Sequence, residues 1–148
     1  LGILSGLYGL LRPLDAIQWY RLEMGRKPFP PATLYQLWRP KLCDYLTRHI
    51  ESLGLSYHLN LASQEYAEAI DQSGLPVPTI SPNFLVAKNG QAPKVIGILA
   101  KRARGAFVRY VLTEKPQTLD ALQAFSWDGF AYHPGLSSPN TPHFVKTA

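Results

Sequence analysis

Four basic side chains lie close together in the second half of the sequence. Lys101, Arg102, Arg104 and Arg109 fall within nine positions that contain no acidic residue. On a helix, Arg102 and Arg109 align because they are seven positions apart, and the other two share an adjacent face. Such side chains bind phosphate oxygens, aided by free backbone N–H groups where a helix begins. An ordinary solvated helix face explains the same residues equally well.

A second basic block, Arg12 and Arg21, surrounds the glycine-rich start of the chain. The spacing of two glycines in this start, Gly6-Leu-Tyr-Gly9, loosely resembles the hairpin of helix-hairpin-helix DNA-binding elements, where backbone amides contact phosphate. A Gly-x-x-Gly match has low specificity, and a tight turn from a strand into a loop explains these glycines too. Both interpretations remain open at this point.

Polar and aromatic residues at predicted strand ends indicate a candidate pocket. Asn60 ends a predicted strand and Ser63 begins a predicted helix, an arrangement with which α/β proteins hold anions. With Ser5, Tyr8 and Tyr66, these residues suit an enzyme acting on a nucleobase or nucleotide. The alternative is a buried asparagine bonded to backbone, next to an ordinary helix cap.

Composition excludes several classes of protein. The chain has 148 residues, of which 46% are hydrophobic and 17% charged, as expected of a folded domain. No apolar run is long enough to cross a bilayer. The four His residues have no metal-ligand spacing and Cys43 is the single cysteine, so we predict neither a metal site nor a cofactor. A net charge of +5 is mild evidence for a polyanionic partner.

The order of predicted elements indicates a mixed α/β (α+β) fold in a single domain. Apolar residues among glycines predict a buried strand and loop over 1–12, with Ser5 and Tyr8 near Asn60. Helix signals follow Thr33, Ser63 and Thr118. The predicted elements are a helix over 34–53 ended by Gly54, a strand over 57–62, a helix over 64–72, an Asn89-Gly90 hairpin joining 84–88 to 93–99, helices over 101–115 and 119–124, and an irregular tail.

Six blocks of the sequence occur together in one known family. They are Leu4–Asp15, Tyr20–Gly25, Leu34–Trp38, Asn60–Tyr66, Ala100–Gly105 and Trp127–Tyr132. In this order they resemble the peroxide stress protein YaaA family, and the resemblance runs from residue 1 to about 145. Family members are longer at the N-terminus and this chain starts abruptly at Leu1, so we expect it to be the C-terminal portion of one such domain.

The resemblance implies a function that residue patterns could not supply. It implies a cytoplasmic protein of the hydrogen peroxide response that limits free intracellular iron and oxidative DNA damage. It also implies that the partner is DNA, duplex or branched, contacted mainly through phosphates. Carried over to this sequence, the DNA-binding candidates are Arg12, Arg21, Lys101, Arg102 and Arg104, with Arg102 in place of the family's commoner lysine.

Overall fold

The computed structural model describes residues 1–88 and 91–147. The chain divides into two compact units, Leu1–Thr79 and Ile80–Ala148. Each unit combines helices with short strands, which confirms the predicted mixed α/β class. None of the helices in the described part of the chain has the length and hydropathy of a membrane span.

The first unit begins with a hairpin. Strands β1 (Ile3–Ser5) and β2 (Gly9–Leu11) pair antiparallel, with Ser5 opposite Gly9. The prediction of one buried strand over this block was therefore wrong, because the chain reverses at 6–8. Gly9 makes the reversal possible, since its φ of +76° lies in the left-handed region that glycine adopts without strain.

A long helix, α1 (Leu34–Leu53), forms the largest element of the first unit. The Thr33 side chain accepts a hydrogen bond from the Gln36 backbone N–H, and the Gln36 side chain accepts one from the Thr33 backbone. This reciprocal cap and the left-handed Gly54 fix both ends, which confirms the prediction. The helix packs its apolar stripe into a core that includes Met24, Leu34, Leu42, Ile50, Ala69, Ile70 and Leu75.

The remaining elements of the first unit are short. They are β3 (His58–Leu59), α2 (Gln64–Ala67) and a 3-10 turn at Gln72–Gly74, and β4 (Thr79–Ile80) begins at the last residue of the unit. The predicted helix over 64–72 was wrong beyond its first turn. Ala69 and Ile70 donate their backbone N–H groups to carbonyls three residues back, at 3.1 and 3.0 Å, and this tightening ends the α-helix.

The second unit contains a four-stranded mixed sheet. Its strands are β5 (Asn83–Ala87), β6 (Ser126–Trp127), β7 (Phe130–Tyr132) and β8 (His143–Thr147), in the order β5-β8-β7-β6. β5 and β8 pair parallel, and the other neighbours pair antiparallel. The prediction of an irregular tail was wrong. Asp128 and Gly129, with φ of 48° and 80°, form the two-residue turn between β6 and β7.

Two helices accompany this sheet, α3 (Gly97–Glu114) and α4 (Leu119–Gln123). The predicted second hairpin strand over 93–99 was wrong, because Lys94 makes one isolated bridge to Val86 and α3 begins at Gly97. The predicted Asn89-Gly90 turn lies outside the described residues. The prediction that Thr118 caps α4 is confirmed, since its hydroxyl accepts a hydrogen bond from the Ala121 N–H.

Phenylalanine rings fill the core of the second unit and hold α3 on the sheet. Phe107 of α3 is fully buried, with its ring centroid 4.8 Å from Phe125 and 5.4 Å from Phe144. Phe84 stacks on Phe144 at 5.4 Å. Because Ala100, Ala103 and Phe107 recur at helical spacing on this buried side, α3 presents its opposite face to solvent.

Candidate functional site

The formal charge of the protein is concentrated in one of the two units. Residues 1–79 contain seven Lys and Arg and seven Asp and Glu, so their charges cancel. Residues 80–148 contain eight basic and three acidic residues, and the difference is the entire net charge of +5. Any attraction of the protein for a polyanion through its net charge therefore arises in the second unit.

Four of those eight basic residues form the α3 basic face, defined as Lys101, Arg102, Arg104 and Arg109. Lys101, Arg102 and Arg109 are exposed, and Arg104 is partly buried at the edge of the face. Within residues 1–88 and 91–147, none of the four forms an ion pair with a carboxylate. Their positive charge is consequently available to an external anion.

Backbone amides contribute less to this face than the sequence indicated. Lys101 was predicted to begin the helix, where its N–H group would be free. Instead α3 begins at Gly97, and Ala100 already donates its N–H to the Ile96 carbonyl at 2.8 Å. The free amides lie in the preceding turn. The predicted helix start at Lys101 was therefore wrong. That the side chains of this cluster bind phosphate stays a prediction.

Arg102 has an aromatic support that the sequence reading missed. Its guanidinium carbon lies 5.5 Å from the centre of the Trp127 ring, a cation–π contact. The Trp127 ring in turn lies parallel to the buried Phe130 ring at 6.4 Å. The contact with the Trp127 ring restrains the Arg102 side chain without neutralising its charge. The Trp-Asp-Gly-Phe sequence was the available signal, because its turn brings both rings together.

Arg12 and Arg21 are in a different electrostatic state. Arg12 donates to Asp15 from its backbone N–H and from its guanidinium, both at 2.8 Å. These bonds hold the pKa of the Asp15 carboxyl below its usual value, with the backbone N–H as the largest cause. Arg21 pairs with Glu23 at 3.2 Å. These exposed pairs contribute little to stability, but each carboxylate competes with phosphate for its arginine.

The Gly6-x-x-Gly9 segment is a packed turn. An added Cβ at Gly6 would lie 2.4 Å from the Leu22 carbonyl oxygen, and one at Gly9 would lie 2.5 Å from the Trp38 ring. Trp38 also donates its indole N–H to the Gly6 carbonyl at 2.9 Å. Close packing therefore accounts for both glycines, which supports the tight-turn interpretation over phosphate binding by backbone amides.

Ser5 and Tyr8 of the predicted pocket meet at this hairpin, together with Tyr20. Ser5 is 3% exposed, and a 2.5 Å hydrogen bond joins its hydroxyl to the Tyr20 hydroxyl. The same Ser5 oxygen accepts the Tyr8 N–H at 3.0 Å. The Tyr8 and Tyr20 rings contact edge to face at 5.4 Å. This network joins the hairpin to the segment that follows it, and sequence reasoning did not assign Tyr20 to it.

The other pocket candidates, Asn60, Ser63 and Tyr66, differ in their contacts. The Asn60 side chain accepts the Ala62 N–H at 3.1 Å, and the Ser63 side chain makes no capping bond to α2. Burial is the largest cause that raises the pKa of the Tyr66 hydroxyl, and the nearby Glu65 and Tyr20 raise it further. The placement of Ser5 and Tyr8 beside Asn60, and the enzyme hypothesis built on that pocket, stay predictions.

A polar groove that the sequence did not indicate lies between α1 on one side and α2 with the segment that follows it on the other. Its volume is about 480 Å³, and charged side chains of Arg39, Glu68 and Asp71 line it. Arg39 donates to the Glu68 carbonyl at 2.7 Å. Cys43 lies nearby, where its sulfur accepts the Asp71 N–H at 3.2 Å. Across the described residues, His, Cys, Asp and Glu side chains do not gather in threes, and the predicted absence of a metal stays a prediction.

Comparison with known proteins places these features in a family. A family model described as peroxide stress protein YaaA matches residues 1–136. A UPF0246 protein of Roseobacter denitrificans is 46% identical over 99% of this chain, and one of a Ruegeria species is 47% identical over the same share. One from Marinomonas is 45% identical, also over 99%. The chain spans 58%, 59% and 56% of the length of these three relatives.

Proposed function

The chain belongs to the peroxide stress protein YaaA family, and from this premise we propose that it binds DNA through the α3 basic face. In this proposal the protein acts in the cytoplasm during hydrogen peroxide stress. DNA binding would place it where oxidative damage occurs, and an effect on free iron would be indirect. The sequence supports that last step, since the four His residues and Cys43 have no metal-ligand spacing.

One observation carries the proposal: the α3 basic face holds four cationic side chains that no carboxylate of the described chain neutralises. The second unit, which contains this face, has a net formal charge of +5, whereas the net formal charge of the first unit is zero. A surface of this kind attracts a phosphate backbone over about 8–10 Å at physiological ionic strength. Arg12 and Arg21 rank second, because each must leave a carboxylate before it can bind phosphate.

In this proposal the face contacts phosphates and not base edges. Its cations lie along the middle of α3, and Arg102 is restrained against Trp127. The described face contains no Asn or Gln, the side chains that pair with adenine in the major groove. Phosphate contacts fix position but carry no sequence information. We therefore expect similar affinity for duplexes of different sequence, and for branched DNA.

The test replaces Lys101, Arg102 and Arg104 with Ala and measures binding to labelled duplex and branched DNA by fluorescence anisotropy. Loss of three phosphate contacts should weaken binding by roughly 10- to 100-fold near 0.1 M salt. The loss should be the same for every sequence tested. The melting temperature should change little, since substitutions at exposed positions usually alter stability by about 0.5 kcal/mol or less.

A matched control separates the site from net charge. The variant with Arg26, Lys27 and Arg48 replaced by Ala also removes three exposed positive charges, all from the first unit. We expect it to retain most of the affinity. Equal losses in the two variants would show that net charge, not this face, determines binding. Unchanged affinity in the α3 variant would refute the proposal.

A further inference from the structure

Gly105 lies in the exposed interior of α3, where glycine destabilises a helix relative to alanine. An added Cβ at this position would meet no atom within 4 Å, so close packing does not require a glycine. In the described chain, a left-handed φ belongs to Gly9, Gly54 and Gly129, whereas Gly105 has ordinary helical backbone. Neither packing nor backbone conformation within this chain therefore accounts for a glycine here.

Helical geometry places Gly105 at the centre of the α3 basic face. Residues three and four positions apart are neighbours on a helix surface. Lys101, Arg102 and Arg109 lie four before, three before and four after this glycine, and all three are exposed. At about 100° per residue, Lys101 lies on one side of it and the two arginines lie on the other. The three cations therefore border a gap in which the helix backbone itself faces solvent.

The groups around Gly105 select an anion that offers only hydrogen-bond acceptors. Lysine and arginine side chains supply N–H donors and no acceptor. The Gly105 N–H is inside the helix, where the carbonyl four residues back accepts its hydrogen bond. Base edges present donors as well as acceptors, whereas the phosphate oxygens of a nucleic-acid strand only accept. The chemistry of this gap therefore matches a sugar–phosphate backbone.

We propose that Gly105 is the point at which a DNA strand crosses α3, an inference that rests on the proposed function. Without a side chain at this position, the sugar–phosphate backbone lies directly against the helix. Lys101 then reaches a phosphate on one side of the crossing, and Arg102 and Arg109 reach phosphates on the other. These two arginines are seven residues apart, about 10 Å along the helix axis, which favours contacts to separate phosphates.

A second copy of the chain is a poorer occupant of this face. Ile98 and Leu112 lie seven residues before and after Gly105 and are 69% and 52% exposed, so they extend the same line along α3. A second α3 packed along this line would bring the two basic faces together. Like charges placed opposite each other across an interface oppose association, whereas a phosphate backbone neutralises them.

The test adds a side chain at the crossing point and leaves every cation in place. Gly105→Leu should hold the strand away from α3 and weaken binding to a labelled duplex by roughly 5- to 10-fold near 0.1 M salt. The slope of log K against log salt concentration should flatten by about 0.9 or more, because at least one phosphate contact is lost. The melting temperature should not fall, because the added side chain enters open space and leucine is a better helix former than glycine.

Gly97→Leu is the matched control. Gly97 is also an exposed glycine of α3, and an added Cβ there would meet no atom within 4 Å. It lies at the start of the helix, where Lys101 is its single neighbour among the basic face at this spacing. We expect Gly97→Leu to bind DNA with the affinity and the salt slope of the parent. An equal loss in Gly97→Leu and Gly105→Leu would show that the crossing point is wrong.

The outcomes separate this inference from the proposed function. If Gly105→Leu binds as the parent does while the variant at Lys101, Arg102 and Arg104 loses affinity, the crossing point is wrong and the proposed function stands. If neither variant loses affinity, both are wrong. Self-association of the chain that Gly105→Leu abolishes would assign the face to a second copy. Stronger displacement of DNA by sodium phosphate than by sodium chloride at equal ionic strength would assign it to free phosphate.

Discussion

Replacing Gly9 with Ala should destabilise the first unit more than its backbone conformation alone explains. A left-handed φ, here +76°, costs a residue other than glycine about 1–2 kcal/mol. The new Cβ would also lie 2.5 Å from a Trp38 ring that the Gly6 carbonyl holds in place. Overpacking of this kind costs about 1–3 kcal/mol more. The expected loss in the free energy of unfolding is therefore about 2–5 kcal/mol.

Gly54→Ala isolates the backbone part of that loss. Gly54 also has a left-handed φ, +58°, but an added Cβ there would meet nothing within 4 Å. Both substitutions restrict the unfolded chain in the same way, so this contribution cancels in the comparison. Urea unfolding followed by far-ultraviolet circular dichroism gives the two free energies. If Gly9→Ala costs no more than Gly54→Ala, the account of the hairpin as a packed turn against Trp38 is wrong.

Three further predictions concern single side chains. Ser5→Ala removes the hydroxyl that the Tyr8 N–H and the Tyr20 hydroxyl share, and should lower the free energy of unfolding in urea by about 1–3 kcal/mol. Combined with Tyr20→Phe, the loss should be smaller than the sum of the two single losses. Additive losses would contradict the network. Burial lowers the pKa of His58, so its contribution to the free energy of unfolding should be complete above about pH 6.5 and should fall as the pH drops. If His58→Gln shows the same pH dependence of melting temperature as the parent, this prediction is wrong. Gly105→Ala, in the exposed interior of α3 with no atom within 4 Å of the new Cβ, should stabilise by about 0.5–1 kcal/mol, and a lower melting temperature would contradict it.

The helix boundaries that could be predicted are those fixed by local chemistry. Thr33 and Gln36 cap α1 through contacts three residues apart, and Gly54 ends it with a left-handed backbone. Thr118 caps α4 in the same local way. Ser63 has the right residue type but makes no such bond, and the helix after it is one turn long. A capping residue predicts a helix start, but tertiary packing decides the length.

The sheet of the second unit could not be predicted because it depends on distant pairing. β5 and β8 pair parallel, with Asn83 opposite His143, and no local signal specifies a partner sixty residues away. The Asp128-Gly129 turn was a local signal that the sequence reading overlooked in a segment rich in Gly and Pro. The run over 93–99 looked like a strand by composition. Burial of Ala100, Ala103 and Phe107 at helical spacing made its end part of α3.

The sequence shows that basic residues are clustered, but it does not show which of them are free of a carboxylate partner. Arg12 and Arg102 both looked like phosphate ligands. The structure pairs Arg12 with Asp15, three residues away, and rests Arg102 on Trp127, twenty-five residues away. The first pairing was within reach of a sequence argument, because Arg-Pro-Leu-Asp is a turn sequence. The second needed the β6–β7 hairpin.

The salt dependence of DNA binding tests the central claim most directly. On duplex DNA, each phosphate contact contributes about 0.9 to the slope of log K against log salt concentration. Replacing Lys101, Arg102 and Arg104 together should therefore flatten this slope by about 2.7 relative to the parent. The control variant at Arg26, Lys27 and Arg48 should leave it unchanged. A slope for the α3 variant equal to that of the parent would contradict the claim that this face binds the phosphate backbone.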